Sequence, residues 1–151
     1  VDYIKGKDID KLFLKDERVG LDNLPVLLSP TEKLNMALEM AEALSELHGF
    51  KGGVIVHGDI QYCQYLLDKN DRVVLSDFNR AEPLLWDEDN QEYCTFYIGS
   101  ASGNVRSPEE YGKQNLTEKM DVYSFGNVLF TLLTGKEPYE DSLYYSEDIK
   151  E

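Results

Sequence analysis

Apolar residues recur at helical spacing in two long segments of this chain, and the first of them lies at 29–49. Ser29 is suited to cap a helix, Pro30 to form its first turn, and Glu32 to complete a capping box with Ser29. Gly49 is typical of a helix end. Apolar side chains lie most of the way round this helix, which is typical of a buried helix: Leu34, Met36, Ala37, Leu38, Met40, Ala41, Ala43, Leu44 and Leu47.

The second helical segment covers 118–133, with Thr117 as its candidate cap and Gly135 as its end. The spacing of its apolar residues again follows the period of a helix. The pattern therefore predicts a second strongly apolar helix, with Met120, Val122, Phe125, Val128, Leu129, Leu132 and Leu133 as its apolar positions.

Shorter apolar runs lie between and before these helices. Residues 65–67 and 72–75 flank a polar tetrapeptide, which predicts a β-hairpin. Residues 54–56 form a short buried run. Residues 83–105 show no sustained period and predict a long loop, a feature that tends to be functional in compact domains. Residues 2–14 predict a strand, a turn at Gly6, and then a short helix with Ile9, Leu12 and Phe13 on one face.

Composition narrows the classes of protein that fit this pattern. The 151 residues carry a net charge of −14, and the mean hydropathy is −0.44. Such acidity argues against sequence-independent binding to a polyanion, so we expect no nucleic-acid partner. The sequence has no run of eighteen apolar residues, and we expect no membrane contact from this segment. The two cysteines and two histidines lack the spacing of a zinc site.

The candidate chemistry is concentrated in 56–82, which reads VHGDIQYCQYLLDKNDRVVLSDFNRAE. The His-Gly-Asp triplet ending at Asp59 is followed five residues later by Gln64, and thirteen residues after that by Asp77, which begins Asp-Phe-Asn. This spacing resembles the catalytic loop and the metal-binding loop of a protein kinase. Relative to the family pattern, Gly58 replaces Arg, Gln64 replaces Asn and Asn79 replaces Gly.

Motifs further along the chain extend the resemblance. The hexapeptide RSPEEY at 106–111 resembles the end of a kinase activation segment, with Ser107 where Ala is usual. The hexapeptide DVYSFG at 121–126 resembles the start of the central buried helix. The resemblance implies an α+β fold, the mainly helical C-lobe of a protein kinase, with a small hairpin carrying both loops. It spans 1–151, from the hinge at 2–4 to the start of the helix after the central one, so we expect the N-lobe and the final C-lobe helices to lie outside it.

The resemblance also implies roles for individual residues in phosphoryl transfer. Asp59 would accept a hydrogen bond from the substrate hydroxyl and is the candidate catalytic residue. Asp77 would hold the magnesium ion that bridges the phosphates, and Gln64 the second metal ion, through an amide on a longer stem. Gln64, Asp77 and Leu66 are the candidate ATP-binding residues.

Four further residues are expected to be structural. His57 and Phe78 match positions that pack in the family's core. Asp121 matches the Asp that accepts hydrogen bonds from the catalytic-loop backbone. Glu109 matches a Glu that pairs with an Arg beyond this chain, so we expect a semi-buried carboxylate without its partner.

The substitutions leave more than one function open. Gln61 stands where a Lys steadies the transferred phosphate in serine/threonine-specific members, and its neutral side chain weakens that support. The chain therefore predicts either a protein kinase with weakened or lost transfer from ATP, or an inactive pseudokinase that acts as a scaffold or allosteric regulator. Small-molecule phosphotransferases share His-Gly-Asp, but 107–109 resemble protein kinases. The expected cofactors are ATP and magnesium, the expected partner is a protein, and the expected location is the cytoplasm or the cytoplasmic side of a membrane protein.

Overall fold

Two long helices and several two- or three-residue strands make up the described part of the protein, which is 7–8, 28–99 and 105–139 of a computed structural model. The helices are α1 (Pro30–His48), the single-turn α2 (Pro108–Tyr111) and α3 (Lys119–Thr134). The strands are β1 (Lys7–Asp8), β2 (Ile55–Val56), β3 (Tyr65–Leu67), β4 (Val73–Leu75), β5 (Glu82–Pro83), β6 (Trp86–Asp87) and β7 (Glu92–Tyr93). The expected α+β class is confirmed.

Helix α1 begins and ends where the sequence predicts. The Ser29 hydroxyl accepts a hydrogen bond from the Glu32 amide at 3.3 Å, and the Glu32 carboxylate accepts one from the Ser29 amide at 2.7 Å. These two bonds form the predicted capping box and hold the pKa of Glu32 below its ordinary value. At the other end, the Gly49 amide donates to the Ser45 carbonyl at 2.8 Å.

The expectation that α1 is buried all round is wrong for the described part of the chain. One stripe of the helix, centred on Met40 and Leu44, packs against β4 and α3. On another face, Leu34 is 69% exposed and Leu38 is 57% exposed. The periodicity marks the apolar positions correctly, but only the described neighbours determine which of them are covered.

Helix α3 lies within one residue of its predicted bounds. The Thr117 hydroxyl accepts a hydrogen bond from the Lys119 amide at 3.4 Å, although Glu118 occupies the N-cap position. Gly135 ends the helix with φ of 70°, which is the left-handed conformation that glycine adopts at low cost. The buried side of α3 combines apolar with polar residues: Met120, Asp121, Ser124, Val128, Thr131 and Leu132.

The predicted hairpin is confirmed as β3 and β4, which pair antiparallel with Tyr65 opposite Leu75. Its turn is stabilised by the Asp68 carboxylate, which accepts hydrogen bonds from the amides of Asn70 and Arg72 at 2.8 and 2.9 Å. Strand β1 pairs antiparallel with β3 on the other side, and the strand predicted before Gly6 lies outside the described residues.

Two further predictions for the N-terminal part, the hinge at 2–4 and the helix with Ile9, Leu12 and Phe13, lie outside the described residues.

The predicted long loop from Pro83 onward contains short paired strands in the residues described there. Strand β5 pairs with β2, and β6 pairs with β7 in a second short hairpin. The Asp87 carboxylate accepts hydrogen bonds from the amides of Asp89 and Asn90 in the turn of that hairpin. The rings of Trp86 and Tyr93 lie 5.0 Å apart. Two-residue strands are too short to produce a detectable period, so the pattern could not reveal them.

The buried apolar residues form two clusters that hold the candidate loops from both sides. The larger cluster joins α1, the first hairpin and α3: Met40, Leu44, Ile60, Tyr65, Leu67, Val73, Val128 and Leu132. The smaller cluster lies beneath β2 and the start of α3: Val56, Leu84, Leu116 and Met120. Neither long helix of the described residues combines the length and apolar character that a membrane crossing requires.

Candidate active site

Asp121, in the first turn of α3, fixes the backbone of the loop that carries the candidate catalytic residue. Its two carboxylate oxygens accept hydrogen bonds from the amides of His57 and Gly58, at 2.6 and 2.9 Å. The carboxylate also lies 3.0 Å from the Nε2 atom of His48, at the end of α1. Asp121 is buried. The loop is therefore fixed to both long helices through one side chain.

His57 is fully buried and connects the same loop to the end of β4. Its Nδ1 atom accepts a hydrogen bond from the Asp59 amide at 3.3 Å, so the hydrogen lies on Nε2, which donates to the Ser76 carbonyl at 2.9 Å. Both ring nitrogens are thereby engaged in backbone contacts. This arrangement leaves His57 no ring nitrogen for proton transfer with a substrate.

The carboxylate of Asp59 is held by two side chains. Arg106 donates to its Oδ1 atom at 2.7 Å, and the Gln61 amide nitrogen donates to the same atom at 2.8 Å. The side chains of Asp59 and Arg106 are only 13% and 9% exposed, so water screens this ion pair weakly. The candidate catalytic carboxylate is thus already paired with a cation from outside its own loop.

Gln64 immediately precedes β3 and Asp77 follows β4 after Ser76, so the pairing of the two strands brings their backbones close together. The Gln64 carbonyl accepts hydrogen bonds from both the amide and the hydroxyl of Ser76, each at 2.8 Å. Asp77 has φ of 63° and ψ of 67°, a left-handed conformation that a residue with a side chain seldom adopts. Leu66 is half-buried at the centre of β3, opposite Val74.

Magnesium, the metal that the resemblance implies, prefers oxygen ligands. Among the described residues, no three His, Cys, Asp or Glu side chains are grouped to hold a metal ion. Asp77 is exposed, and its carboxylate has no hydrogen-bond partner within the described part of the chain; the backbone carbonyl of Gln64 binds the neighbouring Ser76. One carboxylate and one amide oxygen suit magnesium that takes its remaining ligands from phosphates and water. They do not form a protein-only metal cage.

Two of the expected structural residues lie elsewhere than predicted. Phe78 is 49% exposed, so the expectation of a core position is wrong for the described structure, although its ring lies 5.0 Å from that of His57. Glu109 is exposed rather than semi-buried, while its neighbour Glu110 is 3% exposed. Successive residues of a helix point about 100° apart, so in α2 only one of the two carboxylates faces the catalytic loop.

Glu110 binds two arginines, one from the preceding turn of the chain and one that is distant in sequence. Arg80 donates to its Oε1 atom at 2.9 Å, and Arg106 lies 3.3 Å from the same oxygen. Burial raises the pKa of Glu110, and the charges of the two arginines oppose that shift. Within the described ranges, its second oxygen, Oε2, is buried without a hydrogen-bond partner, as is the hydroxyl of Ser107.

Gly58 allows the backbone and side chain of Arg80 to lie close to the loop that carries Asp59. Its φ is +75°, and a Cβ atom at this position would lie 2.7 Å from the Arg80 carbonyl oxygen. The Gly58 carbonyl accepts a hydrogen bond from Arg80 Nε at 3.0 Å and lies 3.5 Å from Arg106. Sequence reasoning did not identify Arg80, Arg106 or Glu110 as site residues. A weak signal was present, since Arg80 directly follows Asp-Phe-Asn and both Arg106 and Glu110 lie within the hexapeptide at 106–111.

A comparison with protein-family models matches residues 3–151 of this chain to the family described as protein kinase domain. The match covers nearly the whole chain, including the residues that form the site described above.

Individual relatives from Arabidopsis thaliana show the same similarity. A putative wall-associated receptor kinase-like protein is 40% identical over 106 residues, which is 70% of this chain and 13% of the relative. A probable LRR receptor-like serine/threonine-protein kinase is 41% identical over 108 residues, covering 70% of this chain and 11% of the relative. A proline-rich receptor-like protein kinase is 36% identical over 121 residues, covering 80% and 18%. The chain therefore spans less than a fifth of the length of these relatives.

Proposed function

The chain belongs to the protein kinase domain family, and on that basis we propose that in the intact protein it binds magnesium and ATP while its transfer of phosphate to protein hydroxyls is weakened or lost. One observation carries this proposal. The carboxylate that would orient the substrate hydroxyl, Asp59, is paired with Arg106 and Gln61, whereas the carboxylate that would hold the metal, Asp77, is exposed and unpaired in the described residues.

The contacts of Asp59 support weakened transfer. A general base or orienting carboxylate must lie within hydrogen-bond reach of the hydroxyl it serves. Both Arg106 and Gln61 use Oδ1, which leaves Oδ2 as the oxygen for a substrate hydroxyl. The Arg106 guanidinium, 2.7 Å from Oδ1, holds the carboxylate in an ion pair that a substrate hydroxyl would have to share. Asp59 can therefore orient a hydroxyl only through the oxygen that this ion pair leaves.

The placement of Asp77, Gln64 and Leu66 supports retained nucleotide binding. The pairing of β3 with β4 places Gln64 beside Ser76, which precedes Asp77. We therefore expect the side-chain amide of Gln64 and the carboxylate of Asp77 to serve the same metal-phosphate group. Bound magnesium would supply positive charge to the phosphates as transfer proceeds. Gln64 carries one methylene more than the Asn it replaces, and magnesium tolerates displaced ligands poorly, so we propose weak binding.

A second candidate function, a pseudokinase scaffold or allosteric regulator, is supported by the substitutions at Gly58, Gln61, Gln64 and Asn79. In either case the partner is a protein. We place the domain in the cytoplasm or on the cytoplasmic side of a membrane protein, a choice supported by the receptor kinases among its relatives.

The test is thermal denaturation of the intact protein with and without Mg-ATP, combined with a phosphoryl-transfer assay. We expect a small rise in the melting temperature that Asp77→Ala abolishes, with transfer weak or undetectable. The matched control is Asp89→Ala, an exposed carboxylate in the second hairpin, which should retain the rise. A large rise together with strong transfer that Asp59→Ala removes would refute the proposal of weakened activity.

A further inference from the structure

The three charged side chains around Gly58 form one connected group, here named the arginine clasp: Arg80, Arg106 and Glu110. We propose that this clasp positions Asp59. It also fastens two segments of the chain, at Arg80 and at Arg106, to the loop that carries Asp59, and it does so without any phosphate group. The positioning of Asp59 as a catalytic residue rests on the proposed function, whereas the fastening does not.

The clasp joins three separate parts of the sequence through one buried oxygen. Glu110 Oε1 lies 2.9 Å from Arg80, which follows the metal-binding loop, and 3.3 Å from Arg106, which precedes α2. Two cations on one carboxylate oxygen form a charge-assisted network whose members are only weakly exposed to water. Arg80 and Glu110, which are thirty positions apart in the sequence, are therefore bound directly to each other.

Arg106 carries this network into the catalytic loop. One of its nitrogens binds Glu110 and another binds Asp59 at 2.7 Å, so a single planar guanidinium lies between two carboxylates. The geometry of a guanidinium is rigid, and its orientation is transmitted to both partners. The position of the Asp59 carboxylate therefore depends on Arg106, and that of Arg106 depends on Glu110.

The clasp occupies the space that an arginine side chain at position 58 would need. With φ of +75° and the Arg80 carbonyl 2.7 Å from its Cβ position, residue 58 admits glycine alone without local movement. The family pattern that this chain resembles has an arginine at this position. Here the arginines come from positions 80 and 106 instead, and the carboxylate of Glu110 supplies their counter-charge.

The first test is a double-mutant cycle between Arg106→Gln and Asp59→Asn in the intact protein without nucleotide, read by urea denaturation. We expect the two substitutions to be coupled by about tenfold or more in the unfolding equilibrium constant. Arg106→Lys should restore part of the coupling, because Lys keeps the charge but not the fork that reaches both carboxylates. Additive effects, within about twofold, would refute the contact that the proposal requires.

The second test is amide hydrogen exchange of 57–59 in the same variants. Arg106→Gln should speed exchange there more than Leu132→Ala, a core substitution that lowers global stability without touching the clasp. Equal acceleration in both would show that Arg106 has a general structural role only. Treatment of the wild-type protein with phosphatase should leave the exchange unchanged, and faster exchange after treatment would show that a phosphate is needed.

The third test uses position 58. Comparison with the family motif suggests that Gly58→Arg restores activity, whereas the clasp predicts that Gly58→Arg and Gly58→Ala both destabilise the protein and speed exchange at 57–59. The matched control is Gly126→Ala, because a Cβ atom there meets nothing within 4 Å and the residue lies inside α3. A Gly58→Arg variant as stable as wild type would overturn the proposal. None of these measurements requires nucleotide, so a failure of ATP binding would refute the proposed function and leave them unaffected.

Discussion

The Nε2 atom of His48, in the last turn of α1, lies 3.0 Å from the carboxylate of Asp121, in the first turn of α3. The same carboxylate accepts hydrogen bonds from the amides of His57 and Gly58. The loop that carries Asp59 is therefore attached where the two long helices meet. Both helices are thereby coupled to the loop through polar contacts as well as through their shared apolar core.

Asp121→Ala should therefore destabilise the protein more than a typical surface substitution. The change leaves two loop amides without their acceptor in a buried site, and we expect a loss of about 3 kcal/mol in the free energy of unfolding. Urea denaturation measures this directly. The control Asp89→Ala, at an exposed carboxylate, should change the stability by less than about 0.5 kcal/mol. Similar values for the two variants would contradict the anchoring role of Asp121.

Two serines should respond to alanine in opposite directions. Ser107 is fully buried, and its hydroxyl has no partner among the residues that the structure describes, so Ser107→Ala should stabilise the protein by about 1 kcal/mol. Ser29 caps α1, so Ser29→Ala should destabilise it by a similar amount, about 1 kcal/mol. Thermal denaturation under one buffer condition compares both. A Ser107→Ala variant less stable than wild type would mean that the hydroxyl has a partner.

Two glycines, one inside α3 and one at its C-terminal end, should respond to alanine in opposite directions. Gly126 lies inside the helix with open space around its Cβ position, and Gly126→Ala should stabilise the protein by about 0.5–1 kcal/mol. Gly135 ends the helix at φ of 70°, and Gly135→Ala should destabilise it by about 1 kcal/mol. Circular dichroism during thermal unfolding distinguishes the two signs, and equal signs would contradict the assigned helix end.

The stability of the first hairpin should depend on pH, because the Asp68 carboxylate stabilises its turn. The amides of Arg72 and Asn70 bind its carboxylate and hold its pKa below the ordinary value. A depressed pKa stabilises the fold above the unfolded pKa and loses that effect as the pH falls through the folded one. The difference in stability between wild type and Asp68→Ala should therefore be largest near about pH 7 and shrink from about pH 5 to about pH 3. A difference that stays constant with pH in urea titrations would contradict this.

Local signals in the sequence accounted for the helices and the first hairpin. The capping box of Ser29 and Glu32 and the terminal Gly135 act through contacts a few residues apart, so spacing alone identified them. The two-residue strands at 82–93 gave no such signal, because a period of two cannot be recognised in two residues. The same holds for burial: the pattern marked Leu34 as apolar but could not state whether a neighbour covers it.

Residue types at fixed spacing were enough to identify the family, the order of the loops, and Asp59, Asp77 and Asp121 as candidate site residues. The pairing of Arg106 with Asp59, and the burial of Glu110 rather than Glu109, became clear from the folded chain alone. Those contacts join residues up to 47 positions apart, and their existence depends on how the helices and loops pack rather than on any local pattern.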